Sequence, residues 1–155
     1  MLKNTVMKLF IRLSFVMLAA VLFSSCSKVV VTISDPVSGS WVLTDASGKD
    51  AGGWYAINTG LESGVFDFYP DGTALYSDNR VTLRGSWHTS ISISGYYDES
   101  GNYYTDSHKT MTVRLSDGYG NSADMYFDDI RVSGGYMTGT VYDGRTLEKY
   151  HFSAY

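Results

Sequence analysis

The sequence feature that most constrains the fold is a two-residue alternation of apolar and polar side chains. Val81, Leu83, Gly85 and Trp87 occupy every second position, and polar residues stand between them. The same alternation returns in residues 111–116. Because successive side chains of an extended strand point to opposite faces, this pattern predicts strands with one buried face and one solvent-facing face. The sequence therefore favours an antiparallel sheet over a helical fold.

Turn residues divide the chain into short strands. Pro70-Asp71-Gly72 predicts a tight turn between strands at 65–69 and 73–76, and Asp143-Gly144 predicts the turn of the last hairpin.

Two other segments carry less regular signals. Residues 90–95 predict a strand of their own, in which Ile91 and Ile93 face inward. In residues 123–132 the apolar positions change parity near Asp128-Asp129, which predicts a bulge or a bend.

These segments predict about eight or nine strands joined by sequential turns. We expect an all-β fold, an antiparallel up-and-down barrel of eight strands, with a β-sandwich as the alternative. The barrel is favoured because a closed sheet leaves no strand edge exposed. Such a barrel has room inside for side chains or for one small ligand.

The N-terminal segment is typical of an export signal. Lys3, Lys8 and Arg12 precede an apolar run at residues 13–23 that is short for a membrane-spanning helix. Cys26 is the only cysteine, and its nucleophilic sulfur can carry a thioether-linked lipid. A plain secreted protein with an incidental cysteine and an uncleaved signal anchor are the alternatives.

The domain boundaries follow from this reading. We expect residues 1–25 to be a signal peptide, residues 26–38 a tether and residues 39–155 one folded domain. The leader holds three of the 12 basic residues and none of the 16 acidic ones, so the rest of the chain has a net charge near −7. That charge argues against nucleic acid and anionic membrane surfaces as partners.

Short motifs resemble those of a known family. Gly39-Ser40-Trp41 is similar to the G-x-W motif that opens lipocalins. Residues 66–73 look like the F-x-F-x-x-D-G-T hairpin of lipocalin-like lipoproteins from Bacteroidetes, and Gly85-Ser86-Trp87 resembles the G-x-W strand that often follows it. Residues 22–26 resemble a bacterial lipobox, whose cysteine is acylated and becomes the new N-terminus.

This resemblance implies a lipocalin-like barrel that binds a small apolar or amphipathic molecule. It also implies a lipid anchor at Cys26 that holds the protein to the outer membrane. Because no acidic cluster follows Cys26, the resemblance favours the periplasmic face over the cell surface.

The titratable residues form no recognisable catalytic constellation. The histidines, His88, His108 and His151, lack the short spacing of metal ligands. Asp98-Glu99 and Asp128-Asp129 are adjacent pairs, and neighbouring strand residues face opposite sides, so we expect solvated charges rather than a catalytic dyad. No G-x-S-x-G elbow occurs. We expect neither catalysis nor a metal or other cofactor.

Aromatic residues give the best candidate for a binding site. Two long polar connections carry them: Trp54 and Tyr55 in residues 45–63, and Tyr96, Tyr97, Tyr103 and Tyr104 in residues 96–109. If neither connection contains a strand, both follow odd-numbered strands of the meander, and the six aromatics rim one mouth. The alternative is that Trp54 and Tyr55 plug the barrel while the tyrosines are ordinary surface residues.

Three functions are compatible with this sequence. The first is a non-catalytic cell-envelope lipoprotein whose barrel binds a small apolar or amphipathic ligand near Trp54. The alternative is a carbohydrate- or protein-binding β-sandwich module that uses the aromatic loop surface. A third is a solid barrel with a structural or inhibitor-like role. An open interior favours the first function, and a filled interior favours the others.

Overall fold

The computed structural model describes residues 35–155, and this part of the chain is all-β. The predicted signal peptide, the lipidation site at Cys26 and residues 26–34 of the predicted tether lie outside the described residues. Within residues 35–155 there is no helix of the length and apolarity needed to cross a membrane. The strands are β1 (Gly39–Asp50), β2 (Gly53–Ala56), β3 (Val65–Phe68), β4 (Thr73–Ser77), β5 (Thr82–Ser92), β6 (Tyr96–Tyr97), β7 (Tyr103–Tyr104), β8 (His108–Ser116), β9 (Ser122–Phe127), β10 (Asp129–Ser133), β11 (Tyr136–Tyr142) and β12 (Leu147–Ala154).

Ten of these strands belong to one large antiparallel sheet. Their order is β10-β11-β12-β1-β3-β4-β5-β8-β9, and β2 pairs with the second half of β1. Strands β6 and β7 form a separate hairpin. The connections are sequential, so the predicted all-β antiparallel class is confirmed, as are the β3–β4 and β11–β12 hairpins.

The alternating strand directions give the sheet two ends. We call the end at which β1 begins the proximal end and the opposite end the distal end. Strands β1, β4 and β8 run from proximal to distal, whereas β3 and β5 run back. The chain therefore leaves β5 at the proximal end, whereas it leaves β1 at the distal end.

Strands β9 and β10 stand at the two ends of this order, but only Asp128 separates them in the chain. Strand β9 pairs with β8, and β10 pairs with β11. The Asp128 amide donates to the carbonyl of Thr140 over 2.7 Å, at the point where the chain changes neighbours. The bend predicted near Asp128-Asp129 is confirmed.

One face of the large sheet buries the core, which aromatic rings fill. The Phe66 ring centroid lies 4.8 Å from that of Tyr76 and 5.9 Å from that of Phe152. Phe127 contacts Phe152 edge-on, and the missing Cβ of Gly139 leaves room for the Phe127 ring. Other buried members are Val37, Trp41, Leu43, Phe68, Leu83, Trp87, Met111, Val113, Leu115, Ile130 and Met137. Burial contributes about 1.5–3 kcal/mol for each large apolar side chain. We call the opposite face of the sheet the outer face.

The prediction for residues 90–95 is wrong. Strand β5 continues through Ser92 because residues up to that point still pair with β8. Ile91 and Ile93 are 69% and 83% exposed. They do not face the core because they lie beyond Trp87, where β5 has already passed the last pairing with β4.

The two long connections are also more ordered than predicted. The first strand runs on past residue 45, where the first long connection was expected to begin, because a register shift between Leu43 and Asp45 lets β1 continue to Asp50. Residues 45–63 then contain β2, and residues 96–109 contain β6 and β7. Trp54 and Tyr55 of the first connection lie in β2, which folds back onto β1.

Candidate binding surface

The distal half of β1 forms a ribbon with β2. The Gly52 amide donates to the Asp50 carboxylate over 2.7 Å in the connecting turn. Gly53 has a φ of 112°, a conformation that favours glycine over any residue with a Cβ. A two-residue turn of this kind sends the chain directly back along β1, which places Trp54 opposite Lys49.

Trp54 and Tyr55 lie on opposite faces of this ribbon, because neighbouring strand residues alternate. Tyr55 pairs with Gly48, and its ring occupies the space that a Cβ of Gly48 would need. Trp54 faces outward with Lys49, and 46% of its surface is exposed. Trp54 is therefore available to a ligand and does not plug the interior.

Two lysines hold the Trp54 ring. The Nζ atom of Lys149 on β12 lies 4.5 Å from the ring centroid, and that of Lys49 lies 5.6 Å away. Each exposed cation–π contact contributes about 0.5–1 kcal/mol. Beside the ring is an open groove of about 360 Å³, the Trp54 groove, which is lined by Asp45, Ser47, Trp54, Tyr55, Ala56 and Lys149.

The β6–β7 hairpin is closed by a buried carboxylate. Asp98 accepts hydrogen bonds from the amides of Ser100 (2.9 Å) and Asn102 (2.8 Å), and 8% of its surface is exposed. Burial alone would raise the pKa of Asp98, but the hydrogen bonds from Asn102 and Ser100 outweigh it and hold the pKa below its usual value. The charged form is therefore part of the folded hairpin at neutral pH.

This hairpin lies on the outer face, over β11 and β12. The Tyr97 ring centroid is 4.6 Å from that of Tyr142, and the Thr140 hydroxyl donates to the Tyr97 carbonyl over 2.7 Å. At the hairpin turn, a Cβ on Gly101 would lie 3.4 Å from Lys49 Nζ. The hairpin therefore reaches Lys49, which also contacts Trp54.

An ionic cluster lies beneath the start of the hairpin. Asp129 is 5% exposed and accepts a 2.7 Å hydrogen bond from Arg131 Nε. Arg131 also donates to the hydroxyl of Tyr96 over 3.2 Å, and that hydroxyl donates to Asp106 over 3.0 Å. The Tyr96 ring packs on His108, with 4.2 Å between centroids. These contacts fix the hairpin to β10 and to the start of β8.

Burial raises the pKa of two groups in this cluster, Asp129 and Tyr96. Burial raises the pKa of Asp129, and the nearby Arg131 guanidinium offsets only part of that effect. Burial, together with the hydrogen bond to Asp106, raises the pKa of the Tyr96 phenol, so Tyr96 keeps its proton and acts as the donor.

A second cleft, of about 180 Å³, lies between the hairpin and the outer face of β10 and β11. We call it the Arg131 cleft, and it is lined by Glu99, Asp129, Arg131, Ser133, Tyr136, Thr138 and Thr140. His151 lies between the two depressions: its Nε2 is 3.4 Å from Glu99 Oε2, and its Nδ1 is 3.8 Å from Asp45 Oδ2. Groove and cleft thus belong to one polar surface that crosses β1, β12, β11 and β10.

The prediction that six aromatics rim one mouth is wrong. It counted residues 90–95 as a fifth strand, but these residues extend or follow β5, so the two connections start at opposite ends of the sheet. Tyr96 is buried on His108, and Tyr97 packs on Tyr142. Tyr103 and Tyr104 are exposed on β7, where their rings pack on those of Tyr97 and Tyr96. The two aromatic segments meet at Lys49 because the hairpin folds back across the outer face.

Several residues of this surface carry no sequence signal. Asp45, Lys149, His151 and Arg131 come from three strands, and only the pairing of those strands brings them together. Arg131 stands between Ile130 and Val132, so the alternation places its side chain on the face opposite to theirs but does not identify Asp129 as its partner.

Comparison with known proteins gave no identification. No protein-family model matches the chain, and no curated protein or solved structure matches it significantly. Within residues 35–155, no group of three or more histidine, cysteine, aspartate or glutamate residues is placed to hold a metal ion.

Proposed function

We propose that this protein is a non-catalytic binding module of the bacterial cell envelope, and that the Trp54 groove binds carbohydrate. The observation that carries the proposal is a half-exposed indole beside an open groove, in which Asp45, Ser47 and Lys149 supply polar or charged side chains. The chain is held to the outer membrane through acylation of Cys26, on its periplasmic face.

The chemistry of the groove fits a sugar. A pyranose ring has an apolar face of C–H groups that packs on an indole. Its hydroxyls both donate and accept hydrogen bonds, which suits Asp45 as an acceptor, Lys149 as a donor and Ser47 as either. The groove is open, so it accommodates one residue of a longer glycan, and the Arg131 cleft lies further along the same surface.

The packing of the core favours this surface site over an interior one. Phe66, Tyr76 and Phe152 are in ring contact at the centre of the core, and each is 1% exposed or less. A small apolar ligand would have to displace these rings, because protein interiors are close-packed. Binding of a small apolar ligand in the interior is therefore treated as the alternative outcome of the test.

We also propose that the large sheet closes into an eight-stranded barrel. The support is the run from Ser122 to Ser133, whose first half pairs with β8 and whose second half pairs with β11. If β9 and β10 are counted as one bent strand, every strand of the meander pairs with two neighbours, and β12 pairs with β1. A closed barrel protects strand edges that an open sheet would expose.

The test uses full-length protein purified from membranes in detergent and screened against a glycan array. We expect binding to at least one glycan, and we expect Trp54→Ala to lower its affinity by roughly tenfold or more, as truncation of an anchoring aromatic does. Tyr119→Ala is the control, because Tyr119 is 94% exposed in the β8–β9 turn and contacts neither depression.

Two results would overturn this proposal. One is that the wild-type protein binds no glycan on the array. The other is that Trp54→Ala binds as tightly as wild type. Binding of a fluorescent fatty acid that survives Trp54→Ala would instead support an apolar ligand in the interior.

A further inference from the structure

We propose that the proximal tip of β5, centred on Ile91 and Ile93, docks on the lipid bilayer to which the protein is anchored. Ile91 is 69% exposed and Ile93 is 83% exposed. The proposal rests on the lipid anchor at Cys26, but it concerns a different surface from the Trp54 groove.

The tip has the composition of a surface that enters a headgroup layer. Residues 89–97 contain no charged side chain, and serines alternate with the two isoleucines. The side chains of Ser92 and Ser94 hydrogen-bond each other over 2.6 Å, which satisfies part of their polarity within the tip. Two exposed isoleucines within three residues form an apolar patch, and exposed apolar patches are where proteins contact partners or membranes.

The chain enters the described domain beside this tip. Asp35 accepts a 2.6 Å hydrogen bond from the Thr89 hydroxyl, two residues before Ile91. It also forms an ion pair of 3.1 Å with Lys109, which is the cross-strand partner of Ile91. These contacts fix the start of the domain at the proximal end.

The chain length keeps the tip near the anchor. Nine residues separate Cys26 from Asp35. Even fully extended, they span roughly 30 Å, at about 3.3–3.6 Å per residue. The N-terminal anchor therefore holds the proximal end within reach of the bilayer, and the occupant of the tip is lipid rather than a distant partner.

Tyrosines at the same end support this orientation. Tyr69 follows β3 and is 46% exposed, and Tyr136 begins β11 and is 68% exposed. Both belong to proximal turns. Tyrosine suits the membrane–water interface because its ring is apolar and its hydroxyl is polar. In this orientation the Trp54 groove, at the distal end, faces away from the membrane.

The test uses the full-length protein in vesicles of phosphatidylcholine and phosphatidylethanolamine. Because acylation consumes the only native thiol, Ile93→Cys can be labelled with an environment-sensitive fluorophore, and Tyr119→Cys in the β8–β9 turn serves as the distal control. We expect nitroxide-bearing lipids to quench the label at position 93 and to leave the label at position 119 unquenched.

Absence of quenching at position 93, or equal quenching at both positions, would overturn the docking proposal. A label at 93 that shifts to shorter wavelength with rising protein concentration in detergent, without lipid quenching, would assign the tip to a second copy instead. Mass spectrometry of the peptide that contains Cys26 tests separately whether this cysteine is acylated. If Cys26 carries no acyl chain, the anchor fails, and the same two labels in a Cys26→Ser chain still decide whether the tip contacts lipid.

Discussion

Arg131 binds Asp129 through a single 2.7 Å hydrogen bond, yet the two side chains differ greatly in exposure, 55% for the arginine and 6% for the aspartate. Removing the arginine leaves a buried, unpaired carboxylate, whereas removing the aspartate leaves a cation that water can reach. We therefore expect Arg131→Met to lower the free energy of unfolding by about 1–3 kcal/mol at pH 7. We expect Asp129→Asn to stay within about 1 kcal/mol of wild type, because replacing a buried charge removes its desolvation cost.

The same pair predicts a pH dependence. The pKa of Asp129 is raised by burial, so the folded state binds this proton more tightly than the unfolded chain, whose aspartates have a pKa of about 3.9. Stability is therefore lost as pH rises through the folded pKa. Without Arg131 that pKa rises further, so the deficit of Arg131→Met should shrink as the pH is lowered. Urea unfolding of wild type and Arg131→Met from neutral to acid pH measures this difference in stability. A difference that does not change with pH would contradict the raised pKa of Asp129.

Most of the sheet could be predicted because its strands carry local signals. Period-two alternation in β5 and β8, and turn residues such as Pro70-Asp71-Gly72 and Asp143-Gly144, act within a few residues of the chain. The error at residues 90–95 has a physical cause. Ile91 continues the alternation of the core-facing residues, but β5 extends past its pairing with β4. The same pattern therefore leaves the Ile91 side chain in solvent.

The binding surface could be predicted only in part. Trp54 can be predicted as a candidate because it is an aromatic residue in a long polar connection, but its partners depend on strand pairing over long distances. Lys149 is nearly one hundred residues away and reaches the ring only because β12 pairs with β1. The position of the β6–β7 hairpin depends on long-range contacts such as Tyr97 on Tyr142, which no local pattern encodes.

Tryptophan fluorescence should separate Trp54 from the other two indoles. Trp41 and Trp87 are 4% and 6% exposed, and each donates its indole N–H to a backbone carbonyl, whereas Trp54 is 46% exposed. We expect Trp54→Phe to remove the component of the emission that acrylamide quenches, with a change in stability within about 0.5 kcal/mol. The matched control is Tyr119→Phe, which should leave quenching unchanged. Strong quenching that persists in Trp54→Phe would contradict the exposure of this ring.

Asp98 and Asp117 offer a comparison of one turn in two settings. Each aspartate accepts hydrogen bonds from the amides two and four residues later and from the side chain of the asparagine four residues later. Asp98 is buried in the hairpin on the outer face, whereas Asp117 is only half-buried, in the β8–β9 turn. We expect Asp98→Ala to lower the free energy of unfolding by about 1–3 kcal/mol, because the amides lose a buried charged acceptor. Asp117→Ala should cost clearly less.

The effect of Asp98→Ala should also depend on pH. The pKa of Asp98 is lowered because the hydrogen bonds from Asn102 and Ser100 outweigh burial, which acts in the opposite direction. A lowered pKa stabilises the fold above the unfolded pKa, and that contribution is lost as pH falls through the folded value. Thermal unfolding of wild type and variant should therefore converge in acid. A constant difference between them would mean that the carboxylate charge contributes nothing to the hairpin.

Gly85 should tolerate no side chain, although its backbone conformation is ordinary. A Cβ at this position would lie 1.9 Å from the carbonyl oxygen of Arg114 on the neighbouring strand β8. Because that obstacle is backbone, it moves only if the β5–β8 pairing is distorted. We expect Gly85→Ala to lower the free energy of unfolding by about 2 kcal/mol or more, near the upper part of the range for overpacking. Gly52→Ala is the matched control, because its Cβ would meet only the Asp50 carboxylate, at 3.1 Å. Urea unfolding of the two variants decides the matter: equal midpoints would show that β5 and β8 do not approach as closely as this glycine requires.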